Sequence, residues 1–172
     1  MIDRRGQSAL FDATAFLVIM MVASSSLYAY SGMLARETRA SNAADEIAYA
    51  RTMLGALMRT TLANASYTLQ GEVVIVPGAP VGTVLVEELA VLMASNSPNF
   101  ENCNADISEI AGLLADGREW RLECVYENAT LGSASFSIGS ELGIQRFSAS
   151  SEPQMADGYA GRARITLHTW RP

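Results

Sequence analysis

Lysine is absent from this sequence, histidine occurs once, at His168, and cysteine twice, at Cys103 and Cys124. Each scarcity removes a class of chemistry. Twelve dispersed arginines stand against eighteen acids, for a net charge of −6, so there is no basic patch to follow a phosphate backbone and no nucleic-acid partner is expected. Two cysteines and one histidine fall short of a four-ligand zinc site. Any Ser/His/Asp or Cys/His arrangement would depend on His168, which sits in a strand pattern beside Trp170. The glycines mark turns and form no phosphate-cradling loop. No catalytic residue, metal or cofactor is expected, and the chain does not read as an enzyme. Charged residues reach only 17% against 49% apolar, below the roughly 25% charged share of an average soluble domain, so part of the chain is expected to leave water.

That part is found at once. From Leu10 to Tyr30 the sequence LFDATAFLVIMMVASSSLYAY carries a single charge, Asp12. About 20 apolar residues of helix cross a hydrocarbon core. Ser24, Ser25 and Ser26 weaken the apolar drive and can bond either their own backbone or a neighbouring helix. Arg4 and Arg5 precede the run, and the charges that follow, Arg36, Glu37 and Arg39, are mixed in sign. Positive residues stay inside, which puts the N-terminus in the cytoplasm, the rest of the chain outside, and Tyr28 and Tyr30 at the outer interface. Three fates remain open for the segment: a secretory signal cut near Ala29–Ser31, an uncleaved anchor, or cleavage ahead of the apolar run.

The third fate has its own feature, the basic leader ending in glycine, Arg4-Arg5-Gly6-Gln7-Ser8-Ala9-Leu10. In this stretch the chain resembles type IV pilins and pseudopilins. With glutamine and serine after the glycine, the junction is most similar to the archaeal branch. The resemblance covers residues 1–70 and implies a leader over 1–6, removed between Gly6 and Gln7 by a membrane-embedded prepilin peptidase. It further implies a retained helix that self-associates in a surface filament or secretion pseudopilus, with the help of a membrane assembly machinery. Bacterial pilins carry a glutamate five places after the cut; here Phe11 holds that place and Asp12 follows, about 100° further round the helix. Asp12 is read two ways, as a partner for a freed amine on a neighbouring subunit or as a headgroup-level residue favoured by the positive helix end.

A helical period continues beyond the apolar run, with Ala40, Ala43, Ile47, Ala50, Leu54, Leu57 and Thr61 on one stripe. A helix from Gln7 to about Ala65 follows, roughly 90 Å at 1.5 Å per residue, the N-terminal element occupying 7–70. A break at Gly32, giving an anchor and a separate core helix, is the competing reading. Asp45-Glu46 and Glu87-Glu88 are adjacent acids on helices, read as solvated charges.

Residues 71–172 read as an extracytoplasmic α+β head. Glu72–Val76 is a strand ended by the turn Pro77–Pro80. Thr83–Ala94 is a helix with Thr83 as N-cap, and a loop over 95–104 holds Cys103. Asp106 to Glu109 opens a second helix that closes at Asp116-Gly117. Trp120, Leu122, Cys124 and Tyr126 then alternate as a half-buried strand, followed by strands 133–138, 144–150 and 162–170 in a meandering antiparallel sheet. Cys103 and Cys124 are read as a disulfide closing a loop of about 20 residues, a gain of about 3 kcal/mol in the chain-entropy model, or as buried free thiols. The sequons at Asn64 and Asn128 are glycosylation candidates on an exported head, and Asn64 also reads as a helix terminator.

The sequence thus predicts a structural pilin or pseudopilin subunit, membrane-inserted before assembly and at the cell surface afterwards. The alternative is a single-span anchored protein whose head binds a ligand or partner without polymerising.

Overall fold

A computed structural model of the chain describes residues 4–94, 98–128, 132–154 and 161–172. The fold is α+β: a long N-terminal helix followed by a small domain with two antiparallel sheets. Contacts divide the chain into two compact units, Met1–Ala44 and Asp45–Pro172.

The first helix, α1, spans Arg4–Arg59 and continues without a break through Gly32. No proline occurs before Pro77, and alanine, leucine and methionine, all strong helix formers, recur along it. Its last turns belong to the second unit, where Ala50, Met53, Leu54 and Leu57 are buried on one stripe. The helix stops at Arg59, six residues before the expected end.

After Thr60, nine residues form strand β1, Thr61–Leu69, which pairs with β2, Glu72–Pro80, in a two-stranded sheet. Two signals override the helical period. Gln70 and Gly71 both take positive φ, 53° and 87°, the two-residue turn that matches strand twist. The β-branched run Val73–Val76 then lies opposite Thr68–Ala65. Asn64 is therefore a strand residue and not a helix terminator. β2 also runs through Pro77–Pro80, where a turn was expected. Proline is tolerated there because β2 is an edge strand, with no pairing on its far side among the described residues. Val73 and Ile75 are exposed on β2.

Helix α2, Val81–Ala94, begins two residues earlier than expected, with the Val81 N–H donated to the Thr60 carbonyl (2.8 Å), so Thr83 lies inside the helix and does not cap it. Helix α3, Glu101–Leu114, opens five residues ahead of Asp106; Asn99 Oδ1 accepts the Glu101 N–H (2.8 Å), satisfying one of the free donors of the first turn. Cys103 is consequently a helix residue and not a loop residue. The turn after α3 is as read, with Asp116 and Gly117 both at positive φ.

Strands β3 (Glu119–Asn128), β4 (Gly132–Gly139), β5 (Phe147–Ser151) and β6 (Arg162–Trp170) form an antiparallel sheet in the order β4-β3-β6-β5. This is not a meander, because the chain crosses to the far edge as β5 and returns as β6 to pair with β3. The inner places go to the strands with the cleanest alternation: Trp120, Leu122, Cys124 and Tyr126 are buried on β3, and Ala163, Ile165, Leu167 and Thr169 on β6. The serine-rich β4 and β5 take the edges, where fewer apolar contacts are needed. Helix α2 packs on β3 and β4, and α3 on β1.

Gly139 ends β4 at φ 108°, and a Cβ there would lie 2.5 Å from the Trp120 carbonyl and 3.0 Å from its ring. Gly139→Ala is expected to destabilise the head by about 2–3 kcal/mol through backbone strain and overpacking. Urea denaturation of the full chain in detergent reads this as a lower midpoint at unchanged slope.

Candidate functional site

The apolar surface of α1 is the first feature with functional meaning. Every residue from 13 to 42 is exposed, including Phe16, Leu17, Val18, Ile19, Met20, Met21, Val22, Leu27, Met33 and Leu34. The helix Ala13–Arg59 contains a window of mean hydropathy 1.6, none of it buried, and is long and apolar enough to cross a membrane. From 13 to 34 the rise is about 33 Å, against a hydrocarbon core of about 30 Å. Soluble proteins do not leave such a surface uncovered; it belongs to lipid or to protein.

Two hydroxyls in this stretch bond to their own helix. Ser25 Oγ donates to the Met21 carbonyl (2.7 Å) and Ser31 Oγ to the Tyr28 carbonyl (2.9 Å), which keeps both hydroxyls compatible with an apolar medium. Arg4, Arg5 and Gly6 of the expected leader, Gln7 after the expected cut, and Phe11 and Asp12 lie on the opening turns of α1, and their side chains fall outside the described residues.

In the second unit three of the four acids read as solvated, Glu46, Glu87 and Glu88, prove to be structural, while Asp45 is exposed as read. Glu46 is largely buried, and its Oε1 accepts from Arg118 (3.2 Å) and Arg171 (2.8 Å). The Arg118 guanidinium also lies 3.5 Å over the Tyr49 ring, whose hydroxyl donates to the Leu114 carbonyl (2.7 Å). These contacts fasten the end of α1 to the turn after α3 and to the end of β6. A hollow of about 520 Å³ beside them is lined by Tyr49, Asp116, Gly117, Arg118, Arg171 and Pro172. With Glu46 counted, its two arginines and two side-chain acids cancel, so it has no excess charge to hold an ion.

The second acidic pair divides its work. Glu87 accepts the Tyr67 hydroxyl (2.7 Å), and burial first, then this bond and the Glu87 charge, push the Tyr67 phenol up to about 12. Glu88 is buried between α2 and α3, accepting from Asn104 Nδ2 (3.0 Å); burial pushes its carboxyl up to about 7, with the Asn104 bond opposing.

The two cysteines are free and not bridged. Cys103 Sγ contacts the Ser66 carbonyl at 3.1 Å, and Cys124 is fully buried on β3. Burial raises both thiols, so both are inert apolar fillers in the sense of the second reading. His168 Nε2 lies 3.3 Å from Glu123 Oε2, a half-buried pair on neighbouring strands. Among the described residues no group of three or more His, Cys, Asp or Glu is placed to hold a metal. The sequon at Asn128 begins at the end of β3 and its remaining residues, 129 and 130, lie outside the described ones; Asn64 has its backbone in β1.

No family model matches the chain, and no curated protein or solved structure matches it either. The functional reading therefore rests on the residues and the fold.

Proposed function

We propose that the chain is a type IV pilin-like subunit, a structural component of a surface filament or a pseudopilin, assembled through its N-terminal helix after removal of residues 1–6. The observation that carries this reading is the unbroken helix α1. Its first part has exposed apolar residues at every turn, and its last turns form part of the core of an α+β head. A helix of this kind needs one covering before assembly, lipid, and another afterwards, the same helix of neighbouring copies. The junction Arg4-Arg5-Gly6-Gln7 supplies the means of passing from one to the other, since a cut there leaves the apolar run on the product. On this reading the head lies outside the cell, in keeping with the arginines that precede the span.

The test is the N-terminus of the mature protein, read by intact mass, with electron microscopy of detergent-free material. A chain beginning at Gln7 that forms filaments is the expected result. An intact Met1 with no filaments would replace the proposal by a single-span anchored protein, and a start near Gly32 by a secreted one.

A further inference from the structure

The junction of α2 and α3 contains two buried oxygen atoms without partners, Glu88 Oε2 and Asn104 Oδ1. They belong to side chains already joined by the 3.0 Å bond from Asn104 Nδ2 to Glu88 Oε1. An ionised carboxylate and an amide oxygen both only accept, so neither can satisfy the other. One proton changes that: a carboxylic acid donates from one oxygen and accepts at the other, the mirror of a side-chain amide. Two buried acceptors left unpaired are costly, whereas a neutral acid facing an amide leaves neither unpaired.

The surroundings favour the same proton. Glu88 is 4% exposed and lies on the stripe Val84, Leu85, Glu88, Leu89 that α2 turns to the core. Among the described residues no basic side chain pairs with it. The titratable groups near it are the thiols of Cys103 on α3 and Cys124 on β3, both kept neutral by burial; Asp106 on α3 and Glu87 on α2 bring negative charge to the same region. Every one of these neighbours is neutral or negative.

We propose that Glu88 is held as the neutral acid, donating Oε2–H to Asn104 Oδ1 while accepting from Asn104 Nδ2, and that this reciprocal clasp between α2 and α3 opens when Glu88 ionises. The device is a pH-sensitive latch on the head. Its sense follows from linkage. The folded state holds this proton more tightly than the unfolded chain, so the latch contributes fully below the ordinary carboxylate range and its contribution is lost as pH rises through about 7. The head is tightest in mildly acidic surroundings and α3 loosens at neutral and alkaline pH.

Hydrogen exchange of the α3 amides in full-length protein in detergent micelles tests this, after correction for the intrinsic pH dependence of exchange. Between pH 5 and pH 7 protection in the wild type is expected to fall by up to about tenfold per pH unit, the limit for one linked proton. Glu88→Gln carries an amide in place of the acid, donates and accepts at the same two positions, and is expected to keep its protection unchanged over that range. An equal fall in both, or no fall in the wild type, overturns the latch. Should Glu88→Gln fail to fold, infrared spectroscopy of the wild type decides: a protonated carboxyl band that survives at pH 6 and disappears by pH 8.5 supports the proposal, and its absence at pH 6 refutes it.

Discussion

Val22→Arg is expected to expel the chain from membranes. Val22 lies near the middle of the exposed apolar stretch of α1 and is itself 60% exposed. An arginine at the centre of a spanning helix costs about 2.5–3.5 kcal/mol on insertion scales, and the lost valine removes a few tenths more. Together these shift the insertion equilibrium by roughly two orders of magnitude. Arginine is as good a helix former as leucine, so α1 itself is kept and the effect reports on the medium around the helix. Carbonate extraction of membranes reads the result, with Val22→Leu as a control that stays in the pellet. Equal retention of both variants would mean that protein, and not lipid, covers this surface from the start. On the proposed filament reading the same substitution also abolishes assembly, because the one acid of the apolar run, Asp12, lies ten residues and about 15 Å away along the helix.

The second large effect lies in the head. Leu122 is fully buried at the middle of β3, opposite Ile138 on β4 and Leu167 on β6. It therefore stands where both inner pairings of the sheet meet. Leu122→Ala removes the transfer energy of the lost atoms and leaves a cavity that the two neighbouring strands cannot both close. A loss of about 3–4 kcal/mol is expected, a large part of the 5–15 kcal/mol that holds a domain of this size folded. Thermal unfolding reads it as a fall in midpoint of roughly 10 °C or more. Val73→Ala, on the exposed face of β2, is the matched control and is expected to change stability by less than about 0.5 kcal/mol. If the two variants fell equally, the assignment of the core to the β3–β6 face would be wrong.

The strands of the larger sheet were legible because half-buried strands write their period into the sequence, except that β5 begins at Phe147 and not at Ile144. The alternation Trp120, Leu122, Cys124, Tyr126 is the buried face of β3, and 162–170 is β6 to the residue. Strand β1 was not legible in the same way. Its small residues, Ala63, Ala65 and Ser66, suit a helix as well as a strand, and only the pairing with Val73–Val76 decides between them. The nearest local signal was Gln70-Gly71, a turn that requires left-handed backbone at both positions. The order of the sheet was likewise hidden, since hairpin spacing does not say on which side of β3 the last strand will lie.

The acidic pairs show where reasoning by adjacency stops. Neighbouring residues on a helix do face apart, but this means that one member of each pair can turn inward while the other stays out. Glu46 falls in the helical rows of Ala50, Met53 and Leu57, and Glu88 in those of Val84 and Leu85, so the apolar stripe already pointed to the inward member. The cysteines are a different case. A separation in sequence contains no distance in space, and nothing in the residues between Cys103 and Cys124 could show that one thiol faces the Ser66 carbonyl while the other is sealed within β3.

The place of β6 has a consequence for how the protein is made. Among the described residues it is the last strand to leave the ribosome, yet it is an inner strand, so before it arrives the larger sheet has only its β3–β4 hairpin. The apolar helix α1, by contrast, precedes every one of these strands and is complete long before β6. Distant strand pairings form slowly and only once both partners exist, so the larger sheet closes only after the chain has been made through to Trp170.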